Sequence, residues 1–442
     1  MDQTQTFTVE RMSYGPDAVG RLADGKAVFV PGAAPGDVVE AALVEERPSF
    51  ARARLVRVAE PGPARAAEVP ACAASGACGG CPWAPLAYDA QLAAKRANVV
   101  SALTRNARLD AARAEDLVTP CVPSKRQWGY RNKVELAATA DAAGRLALGF
   151  YREGTHDVDV VDACPAAARV IEKAPKALRG ALRYLSGSQD LGIYRVGVRG
   201  SLRTKDVEVA LWTPPGPFPR AAVAKTLGSA IRATSVVRVL AEPGRARKVK
   251  KVETLSGRGC WGEELAGARF LTSAPSFFQV NTAQAEKLVA LVLEGLEVSE
   301  GDFVADLYAG GGTFSVPLAL AGADVVAVES AGSSVRDLRR NAQMAGVEIE
   351  VIGGDAAREL PELGELDALV VDPPRAGLAK GVVGDIAAAR PRRVAYVSCD
   401  PQTWARDVAL FEQSGYRLAR ATPVDLFPQT YHVEVASIFE RA

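Results

Sequence analysis

The hydrophobic rhythm of the chain changes along its length. Over residues 1 to about 60, apolar and polar positions alternate in short runs broken by turn residues. Thr6 to Arg11, Ala27 to Val30, Val38 to Val44 and Ala51 to Val58 read as strands, with Pro31-Gly32 and Pro35-Gly36-Asp37 between them. Four or five short strands in about sixty residues predict a small closed barrel. Pro61-Gly62-Pro63-Ala64 then reads as a linker.

Residues 66–265 mix both periods. A helical stretch runs from about Tyr88 to Thr104. Strand candidates follow at Val134 to Ala138, Ala147 to Tyr151, Tyr194 to Arg199 and Val207 to Leu211. This predicts an α+β domain, whose helical segment 88–120 is a candidate to pack on the domain that follows. From about Phe270 strands and helices alternate. Phe303 to Leu307, Asp324 to Val328, Glu348 to Ile352, Ala368 to Val371 and Arg393 to Val397 are the strands. That order predicts a parallel doubly wound sheet, closed by late strands at Tyr416 to Pro423 and Val433 to Phe439. The expected division is 1–60, 66–265 and 266–442, an α/β chain with an added barrel.

At 442 residues, 48% hydrophobic and 24% charged, the composition is that of a soluble globular chain of two or three domains. Met1-Asp2-Gln3-Thr4 carries no basic or apolar leader, and apolar runs such as Leu288 to Leu293 are too short to span a bilayer. A cytoplasmic location with no membrane association is the expectation. A net charge of +1 argues against non-specific polyelectrolyte binding but leaves room for a local nucleic-acid patch. Seven cysteines in such a chain argue for metal binding or catalysis rather than disulfides. Two histidines, His156 and His432, leave little material for a His-based metal site or a Ser-His triad.

Asp306-x-x-x-Gly310-x-Gly312-Thr313 follows a strand and precedes a helix. Small residues let the backbone approach a ligand, and the helix N-terminus offers free N–H groups. Glu329 closes the next strand, where a carboxylate can accept from both hydroxyls of a ribose. The pair reads as adenosine binding, with a dinucleotide or S-adenosylmethionine as the ligand. Val370-Val371-Asp372-Pro373-Pro374-Arg375 favours a methyltransferase sheet.

Cys399 stands at the end of the buried run Val394 to Val397, and Glu434 lies in a late strand. C5 of uracil is a weak carbon nucleophile. A thiolate that adds to C6 makes C5 reactive, and a base must later remove the C5 proton. A thiol and a separate carboxylate near a methyl-donor site meet that demand. An inert core thiol and a surface carboxylate are the bland readings of each residue alone. His432 would share a strand face with Glu434 and orient it or contact RNA.

Tyr396-Val397-Ser398-Cys399-Asp400-Pro401 and Phe427-Pro428-Gln429-Thr430-Tyr431-His432-Val433-Glu434 resemble two signatures of the RNA uracil-5-methyltransferase family. Ser276-Phe277-Phe278-Gln279-Val280-Asn281 and Asp306 to Phe314 are similar to its cofactor segments, and the likeness covers nearly the whole chain. The resemblance implies a Rossmann-like class I methyltransferase sheet, with Cys399 as nucleophile and Glu434 as base. It implies S-adenosylmethionine contacts from Gln279, Tyr308, Gly310, Thr313, Glu329, Asp355 and Asp372. Thr313 falls where some members have Asn.

Cys72, Cys78 and Cys81 cluster around Gly79-Gly80, and Cys164-Pro165 follows later. Four thiolates suit zinc or a [4Fe-4S] cluster, and spacing alone does not decide. The run resembles the iron–sulfur motif of the family's ribosomal-RNA branch, which implies [4Fe-4S]. Ala84 stands where a Gln is usual there. A radical enzyme would carry Cys-x3-Cys-x2-Cys, whereas five residues separate Cys72 from Cys78. Cys121 and Cys260 read as bystanders.

The N-terminal barrel resembles a TRAM domain, an OB-like RNA-binding module, through Val9 to Gly15, Phe29 to Gly32 and Pro35 to Val39. Arg52 and Arg54 would share a strand face and contact phosphate, with Arg57 on the other face. Arg245, Arg247, Lys248, Lys250 and Lys251 form the densest basic run, and Trp128 to Lys133 mixes aromatic and basic residues. Each has a solvated or packed alternative. Chemistry at C5 implies that the target base leaves its stack. The expected partner is RNA, 23S rRNA first and the tRNA T-loop second, with no obligate protein partner. A non-catalytic RNA-binding factor is the rival class, and a radical enzyme the weakest.

Overall fold

The structure, a computed structural model, describes residues 4–72, 74, 76–187, 190–244 and 248–442. The N-terminal strands β1 (Thr4–Met12), β2 (Asp17–Arg21), β3 (Ala27–Pro31), β4 (Val38–Glu46) and β5 (Phe50–Glu60) close a barrel in the order β1-β2-β3-β5-β4. Alternation buries Val9, Val28, Val30, Val39 and Ala51 inside it. β2 is absent from the expected strands because Ala18, Val19 and Gly20 are all buried, which erases the alternation. Gly20 has no room for a side chain. A Cβ there would lie 2.6 Å from the Phe7 ring and 2.7 Å from the Thr8 carbonyl. The barrel core also takes in Trp83, Leu86 and Tyr431.

Helix α1 (Tyr88–Ala102) runs through a π turn into α2 (Ala111–Leu117). The central sheet holds β6 (Lys133–Ala140), β7 (Leu146–Tyr151), β8 (Val158–Val160), β9 (Arg195–Gly200), β10 (Val207–Thr213), β11 (Ser235–Leu240) and β12 (Lys251–Gly257). Its order is β12-β11-β10-β9-β6-β7-β8. Helices α3 (Ala174–Ser186) and α4 (Arg220–Ile231) cover one face through Leu178, Leu182, Val223 and Leu227.

Hairpin β13 (Trp261–Leu265) and β14 (Ala268–Thr272) follows. Its Trp261 and Phe270 share a core with Phe278, Leu288 and Val292 of the next segment. The expected boundary after residue 265 falls within this hairpin.

The C-terminal sheet contains β15 (Phe303–Leu307), β16 (Asp324–Glu329), β17 (Ile349–Gly353), β18 (Ala368–Val371), β19 (Arg393–Ser398), β20 (Tyr416–Val424) and β21 (Glu434–Arg441). Its order is β17-β16-β15-β18-β19-β21-β20, with β20 and β21 antiparallel to their neighbours. Both faces are covered, so the parallel strands read as unbroken apolar runs. Leu369 and Val371 point to a core shared with Val99, Leu103, Trp404 and Phe411, and Ala368 and Val370 to the opposite one. Segment 88–118 therefore packs on the C-terminal sheet. The sheet helices are α5 (Thr282–Leu296), α6 (Ser315–Leu320), α7 (Gly332–Ala345), α8 (Ala356–Glu359), α9 (Val382–Ala389) and α10 (Pro401–Gln413). Strand order reverses between β15 and β18, which opens a crevice at their carboxyl ends. No helix among the described residues is long and apolar enough to cross a membrane.

Candidate active site

Three carboxylates converge on that crevice from the ends of adjacent strands. Asp306 lies on β15, Glu329 ends β16, and Asp372 follows β18. Asp306 is fully buried. One oxygen accepts from Ser315 Oγ and the other, Oδ1, has no partner among the described residues. Burial pushes its carboxyl up to about 7 against the Ser315 bonds, with Glu329 adding to the rise. Asp372 is also pushed up to about 7, first by burial and then by the charge of Asp306. Glu329 accepts from Gly310 N at 2.8 Å and from Ala331 N at 2.6 Å. These bonds hold the loop after β15 against the end of β16.

The loop itself turns through left-handed conformations at Tyr308 (φ 64°), Gly310 (φ 58°) and Gly312 (φ 92°). Tyr308 is the informative one, because a non-glycine residue there stores strain that loops keep at ligand sites. Gln279 approaches from the segment before α5. Asn132 of the central domain donates to its carbonyl at 2.8 Å, and its own Oε1 is buried without a partner among the described residues. Asp355 caps α8 by accepting from Ala357 N at 3.0 Å. Thr313 is half-buried in the turn that leads into α6.

Cys399 and Glu434 meet at the other end of the crevice. β21 inserts between β19 and β20, and Ser398 pairs with Val435. One step further along this register Cys399 stands across from Glu434. Glu434 is buried at 3% exposure. Burial, then the charge of Asp372, raises its carboxyl well above the usual range, and Arg375 opposes. Burial and the Glu434 carboxylate push the Cys399 thiol up to about 12, while Arg375 pulls it down. Cys399 immediately precedes Asp400, which caps α10 by accepting from Gln402 N at 2.8 Å. A helix N-terminus favours a thiolate by about 0.3–1 kcal/mol. Burial and the neighbouring carboxylates outweigh this, so the resting group is a thiol.

His432 lies in the loop before β21 rather than on the strand, so the expected shared face with Glu434 does not arise. Its ring sits 3.3 Å from a guanidinium nitrogen of Arg375. Burial, then Arg375, lowers its pKa to about 4, which leaves a neutral imidazole that accepts from Arg375. Arg375 directly follows Asp372-Pro373-Pro374, and a cation at that strand end is the local sequence sign of its place in the site. The carrying loop is held from the central domain. Gln91 donates to Gln429 at 2.9 Å, Tyr130 to the Pro428 carbonyl at 3.1 Å, and fully buried Lys95 pairs with Asp425.

Tyr130 is thus a packing residue, while Trp128 and Arg131 line a separate cavity of about 380 Å³. Cys72, Cys78, Cys81 and Cys164, all free thiols, line the same cavity. Burial raises Cys78 and Cys164, and takes Cys81 up to about 12. The Arg131 charge opposes in all three, and its buried Nε has no partner among the described residues. Among the described residues no group of three or more His, Cys, Asp and Glu is arranged to hold a metal ion. Cys121 and Cys260 are buried elsewhere.

Several of the basic residues weighed for RNA contact carry carboxylate partners in the structure. Arg52 pairs with Asp17 at 3.1 Å and lies over Phe29 and Phe50, and Arg57 pairs with Glu40. Lys250 pairs with Glu242 at 2.7 Å. Arg245 and Arg247 lie outside the described residues. His156 meets only Tyr151 edge-on among ring contacts of the described residues.

Comparison with known proteins agrees with this geometry. A TRAM domain model matches residues 2–56, and the model described as tRNA (Uracil-5-)-methyltransferase matches residues 267–362 and 362–442. An uncharacterized RNA methyltransferase of Gloeobacter violaceus is 36% identical over 100% of this chain and 97% of its own. The 23S rRNA (uracil(1939)-C(5))-methyltransferase of Shewanella amazonensis is 34% identical over 94% of this chain and 91% of its own. The crystal structure of the Pyrococcus abyssi tRNA (uracil-54, C5)-methyltransferase, in complex with S-adenosyl-L-homocysteine, superposes with a TM-score of 0.76. It is 26% identical and covers 98% of this chain and 99% of its own. With a TRAM barrel, the strand-end Cys399–Glu434 pair and relatives that match from end to end, the chain belongs to the RNA uracil-C5-methyltransferase family.

Proposed function

We propose that the protein transfers a methyl group from S-adenosylmethionine to C5 of one uridine in 23S rRNA, by covalent catalysis. The observation that carries the mechanism is the Cys399–Glu434 pair across β19 and β21, beside the β15/β18 crevice. The methyl donor, a substrate, supplies an electrophilic methyl on a sulfonium. Glu329 keeps lone pairs for the ribose hydroxyls beyond its two backbone bonds. The orphaned Oε1 of Gln279 and Oδ1 of Asp306 face a need for donors. Tyr308, Gly310, Thr313, Asp355 and Asp372 complete the donor site.

Cys399 Sγ gives up its proton to water and bonds as a thiolate to C6 of uracil. The electron pair moves to C5, which takes the methyl, and the donor leaves as a neutral thioether. Glu434 removes the C5 proton, and the Sγ–C6 bond breaks to restore the aromatic ring. Arg375 stabilises the anionic forms of both groups.

The 23S target rests on the likeness to the Shewanella enzyme. The likeness to the Pyrococcus tRNA enzyme supports a tRNA uridine as the second reading. Mapping of 5-methyluridine in RNA from cells with and without the protein tests both. A lost 23S mark supports the first, and a lost tRNA mark replaces it with the second.

We further propose that Cys72, Cys78, Cys81 and Cys164 hold a [4Fe-4S] cluster, although among the described residues they are not drawn together into a metal-holding group. All four thiols line one wide cavity, and the unpartnered Arg131 Nε suits an anionic group there. Such a cluster would tie Cys164 to the Cys72–Cys81 loop. Anaerobic purification should give about four irons per chain with broad visible absorption. Stoichiometric zinc without iron would overturn the assignment.

A further inference from the structure

The barrel reaches into the catalytic end of the C-terminal sheet. The loop between β1 and β2, residues 13–16, is pinned there by Trp83. Its indole donates to the Gly15 carbonyl at 3.0 Å, and its backbone N donates to the Gln429 carbonyl at 3.0 Å. Asn98 of α1 donates to the Ser13 carbonyl at 3.3 Å. Tyr14 rides on this loop, half-buried and outside the barrel's apolar core. Its ring meets Tyr431 edge-on, with centroids 6.0 Å apart. Tyr431 in turn lies 4.2 Å from the His432 ring, which touches Arg375. Burial first, then the nearby Asp400 and Cys399 sites, oppose loss of the Tyr14 phenolic proton, and Arg375 favours it.

A residue so placed has little to do for the barrel. A uracil taken out of its stack, however, needs an aromatic or apolar wall to replace the faces it has lost. We infer that Tyr14 is a substrate-positioning residue that forms the barrel-side wall of the target-base pocket and holds uracil C6 against Cys399 Sγ. The barrel thus completes the pocket as well as contributing RNA affinity. This inference rests on the proposed role of Cys399.

The test uses the full chain and the RNA that the wild-type protein methylates, with 5-fluorouridine at the target. Sγ adds to C6, C5 takes the methyl, and the donor leaves as a neutral thioether. Fluorine occupies the place of the C5 proton, so no base can release the Sγ–C6 bond and a covalent adduct remains. Tyr14→Ala should slow adduct formation at saturating RNA about 100-fold, with RNA affinity within about threefold of wild type. Tyr14→Phe should restore at least about a third of the rate, since the ring does the positioning. If the Ala variant fails to fold, Tyr14→Gln, which keeps volume but offers neither an aromatic nor an apolar face, is read the same way. An unchanged adduct rate, or a loss that vanishes at saturating RNA, overturns the inference. Cys399→Ala is run beside it and should form no adduct. An adduct with Cys399→Ala overturns the nucleophile reading and this inference together. An inert Cys399→Ala beside a normal Tyr14→Ala overturns this inference alone.

Discussion

Cys399 and Glu434 face each other across β19 and β21, one register step beyond the Ser398–Val435 pair. Neither group is charged easily there: Cys399 is half-buried and Glu434 buried, Glu434 raises the cost of charging Cys399, and Asp372 raises that of charging Glu434. Cys399→Ala should abolish methyl transfer while donor binding stays within about threefold, since Asp306, Glu329 and Gln279 are untouched. Turnover assays and calorimetric titration of the donor check this. Retained turnover would remove the thiol from the mechanism.

Glu434→Gln should stall after methyl transfer, because no base then removes the C5 proton. An RNA–protein adduct that survives denaturing electrophoresis is the expected product. Full activity without an adduct would assign the base to another group.

The same pair sets a pH dependence. The thiol is pushed up to about 12, with Glu434 as the second cause after burial and Arg375 opposing. A raised acid is ionised only as pH rises, so alkylation of Cys399 by iodoacetamide should accelerate through pH 8–10. Glu434→Gln removes a negative neighbour, lowers the thiol pKa and should speed alkylation at pH 8 several-fold. Arg375→Gln should slow it. Identical rates in all three proteins would show that neither charge acts on the sulfur.

Asp306 makes a second pH prediction, for stability. Its folded carboxyl is raised to about 7, whereas an unfolded Asp titrates near about 3.9. The native state therefore holds the proton more tightly. That stabilisation is complete below the unfolded value and is lost as pH rises through about 7. The donor-free protein should melt at lower temperature at pH 8 than at pH 5. Asp306→Asn should flatten that difference, and melting curves across the range decide it.

Lys95 and Asp425 form an ion pair with both side chains fully buried, and Tyr88 donates to the same Asp425 at 2.6 Å. Lys95→Met should cost about 3–5 kcal/mol in a urea melt, because it leaves a buried carboxylate unpaired. Adding Asp425→Leu should recover part of that loss. A wild-type melt for Lys95→Met would show that the pair carries no stability.

Much of the fold was legible because its signals are local. The inner parallel strands of the C-terminal sheet are buried on both faces, and such strands announce themselves as largely apolar runs. The Asp306, Asp372 and Cys399 motifs stand directly at the ends of such runs. β2 escaped notice because Gly20 and its buried neighbours hide the period of two. The pairing of Arg52 with Asp17, 35 positions away, was not legible either, because it joins distant segments.

The sequence by itself determined the residue types the chemistry needs, the strand ends that carry them and the family they resemble. It did so because periodicity, turn chemistry and strand termini depend on near neighbours. Only the tertiary structure decided which groups meet. It set Glu434 at the first residue of a strand slid between β19 and β20, and brought Arg375 to His432. It brought Tyr14 of the barrel against Tyr431 and set Cys72, Cys78, Cys81 and Cys164 around one cavity. These meetings depend on burial and on pairing between distant segments. The raised carboxyl and thiol groups follow from the same burial, which no local pattern records.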